Sequence, residues 1–347
     1  MKFMRTRRGT VAASLVALAT LAVVGCSPSA PSDEPSAPAG SLDALVEAAK
    51  SEGEVTFYAS LSEPIVVALA DAFQEQYGIA VNWLRLATSE LESRYANELE
   101  SGAPTADIIV ISHGDGFPEA LIESGLMMDP ADADIPALDE YPVELYEQGA
   151  AVVGAEAWGF AYNTDLVDEA DVPEDWAGLA DPKWQDQILV IDPSTSAGTA
   201  LGYLTLQEEY GEEFTEDLAA NIYRLTPGMI PNFEALAAGE ASLGIGSLAS
   251  VAFPLAESGA PVKHVPMEFA PLYEHSLSLS AEPAHPNAMR LLAHWLMVGE
   301  GQDLMNDPDL WGRSSPVTGL NMPARGVRMD NALLEKKDAL FALMGVG

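Results

Sequence analysis

Ile65, Leu69, Phe73 and Tyr77 recur every four residues, a spacing that predicts a helix with one buried face. Ser62 and Pro64 open it, since a proline in the first turn lacks only an N–H that has no helical partner, and Gly78 closes it. On either side the pattern shortens to the runs 54–58 and 79–86, which read as strands. Leu91, Tyr95 and Leu99 mark the next helix, entered through Ser89-Glu90-Leu91-Glu92 as a capping box and stopped at Gly102. Apart from Asp107 the run 106–111 is apolar, as expected of a parallel strand covered on both faces, and a helix over 117–124 follows it. Alternating strands and helices predict a doubly wound α/β unit.

The alternation resumes further on. Strands are expected at 158–163, 188–191 and 241–247, with helices from the 194–199 start to about 210–211, over 214–223 and 233–238, and from 248 to about 259. In 274–280, His275, Leu277 and Leu279 alternate with Ser276, Ser278 and Ser280, the signature of a half-buried strand. A helix starts at Pro286 and runs through Leu291, Leu292 and Trp295 to Gly299, and the chain ends in helices. The 347 residues therefore divide into a first lobe over 41–150, a second over 151–266, and a segment 267–347 that partly returns to the first.

Sheets of this kind bind ligands outside the carboxyl ends of their strands. The candidate ends are Ser60 and Ser62, Thr88 and Ser89, and Ser112 and His113 in the first lobe and Ser247 in the second, joined by Asn232, which begins the helix over 233–238. The most distinctive is the run 188–191, which stops at Asp192-Pro193 and feeds Ser194, Thr195 and Ser196 into a helix start. Free backbone N–H groups and the positive end of a helix dipole favour oxygen-rich ligands there. The competing reading is that one of these serines is an N-cap. Trp158 and Tyr162, on the strand entering the second lobe, either meet a ligand or pack in the core. Arg85 and Arg94 are the cations nearest the first-lobe ends.

Charge narrows the partners. Asp and Glu number 53 against 16 Lys and Arg, a formal net charge of −37, which repels nucleic acid and offers no polybasic membrane patch. Four of the basic residues, Lys2, Arg5, Arg7 and Arg8, precede an uncharged apolar run over 11–24 that is too short to span a bilayer comfortably. That run ends in Val23-Val24-Gly25-Cys26, which resembles a bacterial lipobox and implies a signal peptide over 1–25 with lipid on Cys26. Residues 26–40 are rich in Ser, Pro and Ala and read as a flexible tether. Cys26 is the only cysteine, so no intrachain disulfide or cysteine metal cluster can form.

Ala161-Tyr-Asn-Thr-Asp-Leu-Val167, Leu179-Ala-Asp-Pro-Lys-Trp184, Pro193-Ser-Thr-Ser-Ala-Gly-Thr199, Leu236-Ala-Ala-Gly-Glu240 and His285-Pro-Asn-Ala288 with Gly301-Gln302 occur in that order. Together they resemble the extracellular solute-binding proteins of ABC importers, in the branch that holds ferric-ion-binding proteins. The resemblance implies a two-lobed, periplasmic-binding-protein-like (type II) α/β fold with hinge-crossing strands. It implies a monomer held outside the cytoplasm on the membrane by lipid, with an ABC permease and ATPase as partners and no cofactor. The family's iron site uses a His, a Glu and an adjacent Tyr pair. Those positions fall at Ser62, near Ser112, and near Ala249 and Ser250, none of which supplies that chemistry. His113 and Asp115 are the nearest replacements for a non-standard ferric site. The hydroxyls that remain suit a phosphonate, a phosphate ester or a metal–anion complex. An extracellular hydrolase is the competing class, because Ser112-His113 and Asp115 are the right residue types. The patterns G-x-S-x-G, G-x-x-x-x-G-K-[ST] and H-E-x-x-H are all absent.

Overall fold

The computed structural model describes residues 41–112, 121–146 and 150–346. Cys26, the tether, His113 and Asp115 lie outside them. None of the helices among the described residues is long and apolar enough to cross a membrane.

The first half follows the apolar spacing closely. Helix α1 (Leu42–Glu52) is capped by Ser41, whose Oγ accepts from Ala44 N, and ends at Gly53 with φ +82°. Strand β1 (Glu54–Ala59), helix α2 (Glu63–Tyr77), strand β2 (Ala80–Arg85), helix α3 (Thr88–Glu100) and strand β3 (Ile108–Ser112) come next. Helix α3 corrects the expected capping box: its N-cap is Ala87, with no side-chain cap bond, and Ser89 already lies inside the first turn. Of the helix expected over 117–124, residues 121–123 are helical and 117–120 lie outside the described residues.

Strands β4 (Met127–Met128) and β5 (Ala151–Ala157) lead to β6 (Gly159–Asn163), so Trp158 alone joins β5 to β6. β5 pairs with the first sheet, which places 151–157 there rather than in the second lobe. The second sheet is then assembled from β7 (Ile188–Ile191), helices α4 (Ala197–Tyr210) and α5 (Glu212–Ala220), β8 (Ile222–Thr226), helix α6 (Met229–Ala237), β9 (Leu243–Ser247), helix α7 (Ala249–Glu257) and β10 (Val262–Val265). Its strand order is β10-β6-β9-β7-β8. β8 falls partly in a stretch expected to be helical. It is short, sits at the sheet edge and leaves Tyr223 half exposed, so it lacks the apolar run that marks a buried strand.

The chain returns through β11 (Phe269–Ser280), followed by helices α8 (Pro286–Val298), α9 (Glu300–Met305) and α10 (Pro308–Trp311), strand β12 (Arg325–Arg328) and helix α11 (Lys337–Leu343). The first sheet has the order β12-β11-β3-β1-β2, with β4 and β5 also pairing with β11. β11 is not half-buried: Ser276, Ser278 and Ser280 are as inaccessible as Leu277 and Leu279. Both of its faces are covered, and the serines are small enough to fit the second. The segment His285-Pro-Asn-Ala288 has a packing role. Glu52 at the end of α1 accepts from the N–H groups of Asn287 and Ala288, placing a carboxylate at the positive end of α8. His285 is held by Asp107, with Nδ1 2.9 Å from Oδ2.

Candidate functional site

Two groups of strand ends and the crossing between the sheets build the site. In the first lobe β1, β2 and β3 are parallel, so their carboxyl ends share one rim. Ser60 Oγ accepts from Ser112 N at 3.0 Å, and Ser112 Oγ lies 2.8 Å from Thr88 Oγ1. The three strand ends therefore meet in a single half-buried hydroxyl cluster, as the sequence spacing predicts. Ser62 is the N-cap of α2 without making a side-chain cap bond, and Ser89 is exposed on α3. Arg85 ends β2 beside this cluster and donates from Nε to Leu61 O at 3.0 Å. Arg94 is different: its Nε lies 2.8 Å from Glu98 Oε1, so its charge is already matched.

In the second lobe, the N-cap reading of the 194–196 segment holds for Ser196. Ser196 is the N-cap of α4, accepting from Thr199 N at 3.1 Å. Ser194 N and Oγ both donate to Asp192 Oδ1, and Thr195 Oγ1 donates to Asp192 O. Ser194 and Thr195 stay exposed beyond the cap. A Cβ on Gly198 would stand 2.6 Å from Tyr273 Oη, so the first turn of α4 lies against β11 where that strand leaves the crossing. Tyr273 is a site residue that pattern reading missed, because β11 begins five residues before the alternation that signals it.

Four expected site residues turn inward. Trp158 is 2% exposed and packs edge-on against Tyr203, with its ring where a Cβ on Gly202 would be. Tyr162 is buried in the same core. Asn232 is buried over Gly244 and donates to Thr226 Oγ1 at 3.1 Å. Ser247 is buried and lies 2.8 Å from His264 Nδ1, whose pKa burial pulls down to about 4. Trp158 precedes β6, Tyr162 lies within it, Asn232 sits inside α6 and Ser247 ends β9, and each is covered by neighbouring side chains rather than facing the rim.

The crossing itself carries a buried charge cluster with no signal in the sequence. Glu156 near the end of β5 pairs with Arg313, and Ser250 Oγ donates to the same carboxylate. Arg313 Nη2 lies 3.2 Å from His275 Nδ1. Burial and then the Arg313 charge hold His275 well below the usual imidazole range. Beside this cluster a cavity of about 330 Å³ is lined by Ala249, Phe253, His264, Met267, Ser314 and Met322, among others. Among the described residues no group of three or more His, Cys, Asp or Glu could hold a metal ion. What the described rim presents instead is hydroxyls, helix N-termini and Arg85.

Residues 103–246 match the family described as bacterial extracellular solute-binding protein. An uncharacterized protein of Haemophilus influenzae is 26% identical over 277 residues, covering 75% of this chain and 78% of that one. The periplasmic binding protein AfuA from Actinobacillus pleuropneumoniae, solved with exogenous fructose-6-phosphate, has a TM-score of 0.63 at 20% identity, over 84% of this chain and 97% of its own. Iron-bound HitA from Pseudomonas aeruginosa has a TM-score of 0.62 at 19% identity, over 85% and 99%. The fold is that of the type II periplasmic binding proteins, as the ordered motifs implied. The matched family and AfuA are both described as binding proteins.

Proposed function

We propose, from the match of residues 103–246 to the bacterial extracellular solute-binding proteins, that the chain is one of them and captures a small oxygen-rich anion, a phosphonate or phosphate ester, for delivery to an ABC permease and its ATPase. Lipid on Cys26 anchors it to the outer face of the membrane, and residues 26–40 give the domain reach. The observation that carries the ligand class is the hydroxyl cluster of Ser60, Thr88 and Ser112 beside Arg85. Hydroxyls donate to phosphoryl oxygens, and a guanidinium presents a fork of donors to them. From the second lobe the donors are the first-turn N–H groups at the start of α4, because the Ser194 and Thr195 hydroxyls already donate to Asp192. The strongly acidic surface opposes an anion at long range, but salt screens that field beyond about 8 Å.

A thermal-shift screen of the chain against inorganic phosphate, alkylphosphonates, sugar phosphates, ferric citrate and free Fe³⁺ tests the reading. A binder at a hundredfold its Kd adds about 2.7 kcal/mol of stability. The expected hit is a phosphoryl compound whose shift is lost in Ser112→Ala combined with Ser194→Ala. A shift from free Fe³⁺ alone replaces this reading with a ferric one, and an unchanged shift in the double variant removes the strand-end site.

A further inference from the structure

Glu156 belongs to the first sheet through β5, whereas Ser250 belongs to the second lobe through the first turn of α7. Their hydrogen bond therefore runs from lobe to lobe. Everything around it is dry: Ser250 is 8% exposed, Glu156 4% and Arg313 1%.

The first-lobe side of the contact is rigidly held. Ala155 and Ser314 exchange both backbone hydrogen bonds at 2.9 Å, which ties the segment carrying Arg313 to β5. A Cβ on Gly154 would stand 2.7 Å from Arg313 Nη2, so the guanidinium lies directly on the β5 backbone. Neutral His275 accepts at Nδ1 from that guanidinium, fixing its other side. The second-lobe side is seated just as closely. Gly312 has φ +64°, and a Cβ there would stand 2.5 Å from Ala249 Cβ and 2.9 Å from Phe253 Cε2. The first turn of α7 thus rests on the residue before Arg313, with Ser250 aimed at Glu156.

We propose that the Ser250–Glu156 hydrogen bond is an interlobe latch that sets the resting angle between the lobes, with Arg313 and His275 as the residues that position its acceptor. A hydroxyl donating to an ionised carboxylate is about twice as strong as a neutral pair, and a dry site strengthens it further. Swinging the lobes apart about Trp158 and the 266–268 connection pulls α7 away and gives up that bond, while the Glu156–Arg313 pair stays intact within the first lobe. The latch is independent of the ligand class proposed above, because none of its residues lies in the hydroxyl cluster.

Small-angle X-ray scattering of the unliganded full chain tests it through Ser250→Ala and Ser250→Thr. Ser250→Ala is expected to raise the radius of gyration over the parent, and Ser250→Thr, which keeps the hydroxyl, to leave it unchanged. Glu156→Gln, which keeps the shape but not the charge, is expected to give a smaller rise and serves if Ser250→Ala does not fold. An unchanged radius in both Ser250→Ala and Glu156→Gln overturns the latch even if melting falls, since the bond would then be only structural. An equal rise in Ser250→Thr also overturns it, by assigning the effect to packing.

Discussion

Arg313→Met removes the guanidinium from the crossing while keeping most of its aliphatic length. Arg313 is 1% exposed and its partner Glu156 4%, so neither can turn to water when the other is lost. Removing one member of such a buried pair costs about 3–5 kcal/mol, because the remaining charge is stranded. With an unfolding entropy of about 2.1 cal/mol/K per residue over the domain from residue 41 to 347, that corresponds to a fall in Tm of about 5–8 °C. The double variant Glu156→Leu with Arg313→Met is expected to recover most of the loss, since apolar groups of similar volume replace buried ion pairs at little or no cost. Calorimetry together with urea unfolding at constant slope measures both effects and closes a double-mutant cycle. The reasoning fails if Arg313→Met melts within a degree of the parent, or if the double variant is worse than the two single changes added together.

Acid is expected to weaken the fold before it protonates most carboxylates. His264 has a folded pKa of about 4, below its ordinary 6.5, so between those values the unfolded chain takes up a proton that the folded one refuses. Its contribution is complete above about pH 6.5 and lost as the pH falls towards 4, to a total of up to about 3 kcal/mol. His275 and His294 are shifted the same way, so Tm should decline over this window, and a flat profile would contradict the burial argument. Gly202→Ala sets two effects against each other. Alanine gains about 1 kcal/mol of helix propensity, but its Cβ would stand 2.3 Å from Trp158 Cζ3, and overpacking costs about 1–3 kcal/mol. A net drop in Tm is expected, and a rise would mean that Trp158 moves freely.

The first lobe was legible because its periodicities are long and its punctuation is local. Ile65, Leu69 and Phe73 are all buried, as their spacing requires, and the three strand ends converge because the strands are parallel. The Ser194–Ser196 turn was legible as a hydroxyl-rich helix start, and the structure shows that capping and exposure coexist there. What could not be read was depth. Trp158 and Ser247 sit at strand boundaries like Ser60 and Ser112, but they are buried under neighbouring side chains that sequence order does not reveal. Nor could the Glu156–Arg313–Ser250 cluster be found, because its members are scattered over more than a hundred residues and none belongs to a recognisable pattern. An isolated arginine in a strongly acidic chain looks like a surface residue until a carboxylate is found buried beside it.

β11 settles the order in which the two lobes can be completed. It pairs with β3, β4, β5 and β12, and its contacts with β3 join residues near 110 to residues near 277. The first sheet consequently stays split, with β1, β2 and β3 on one side and β5 unpaired, until the chain has been made as far as residue 280. The second sheet draws all its strands from one continuous stretch, β6 to β10, although Phe269, Leu340 and Met344 join its core later. Loop closure over such a span is entropically slow, whereas the inner segment closes shorter loops. The sheet that begins the domain is therefore the later of the two to pair during synthesis, and the second lobe in turn waits for Leu340 and Met344 to close its core.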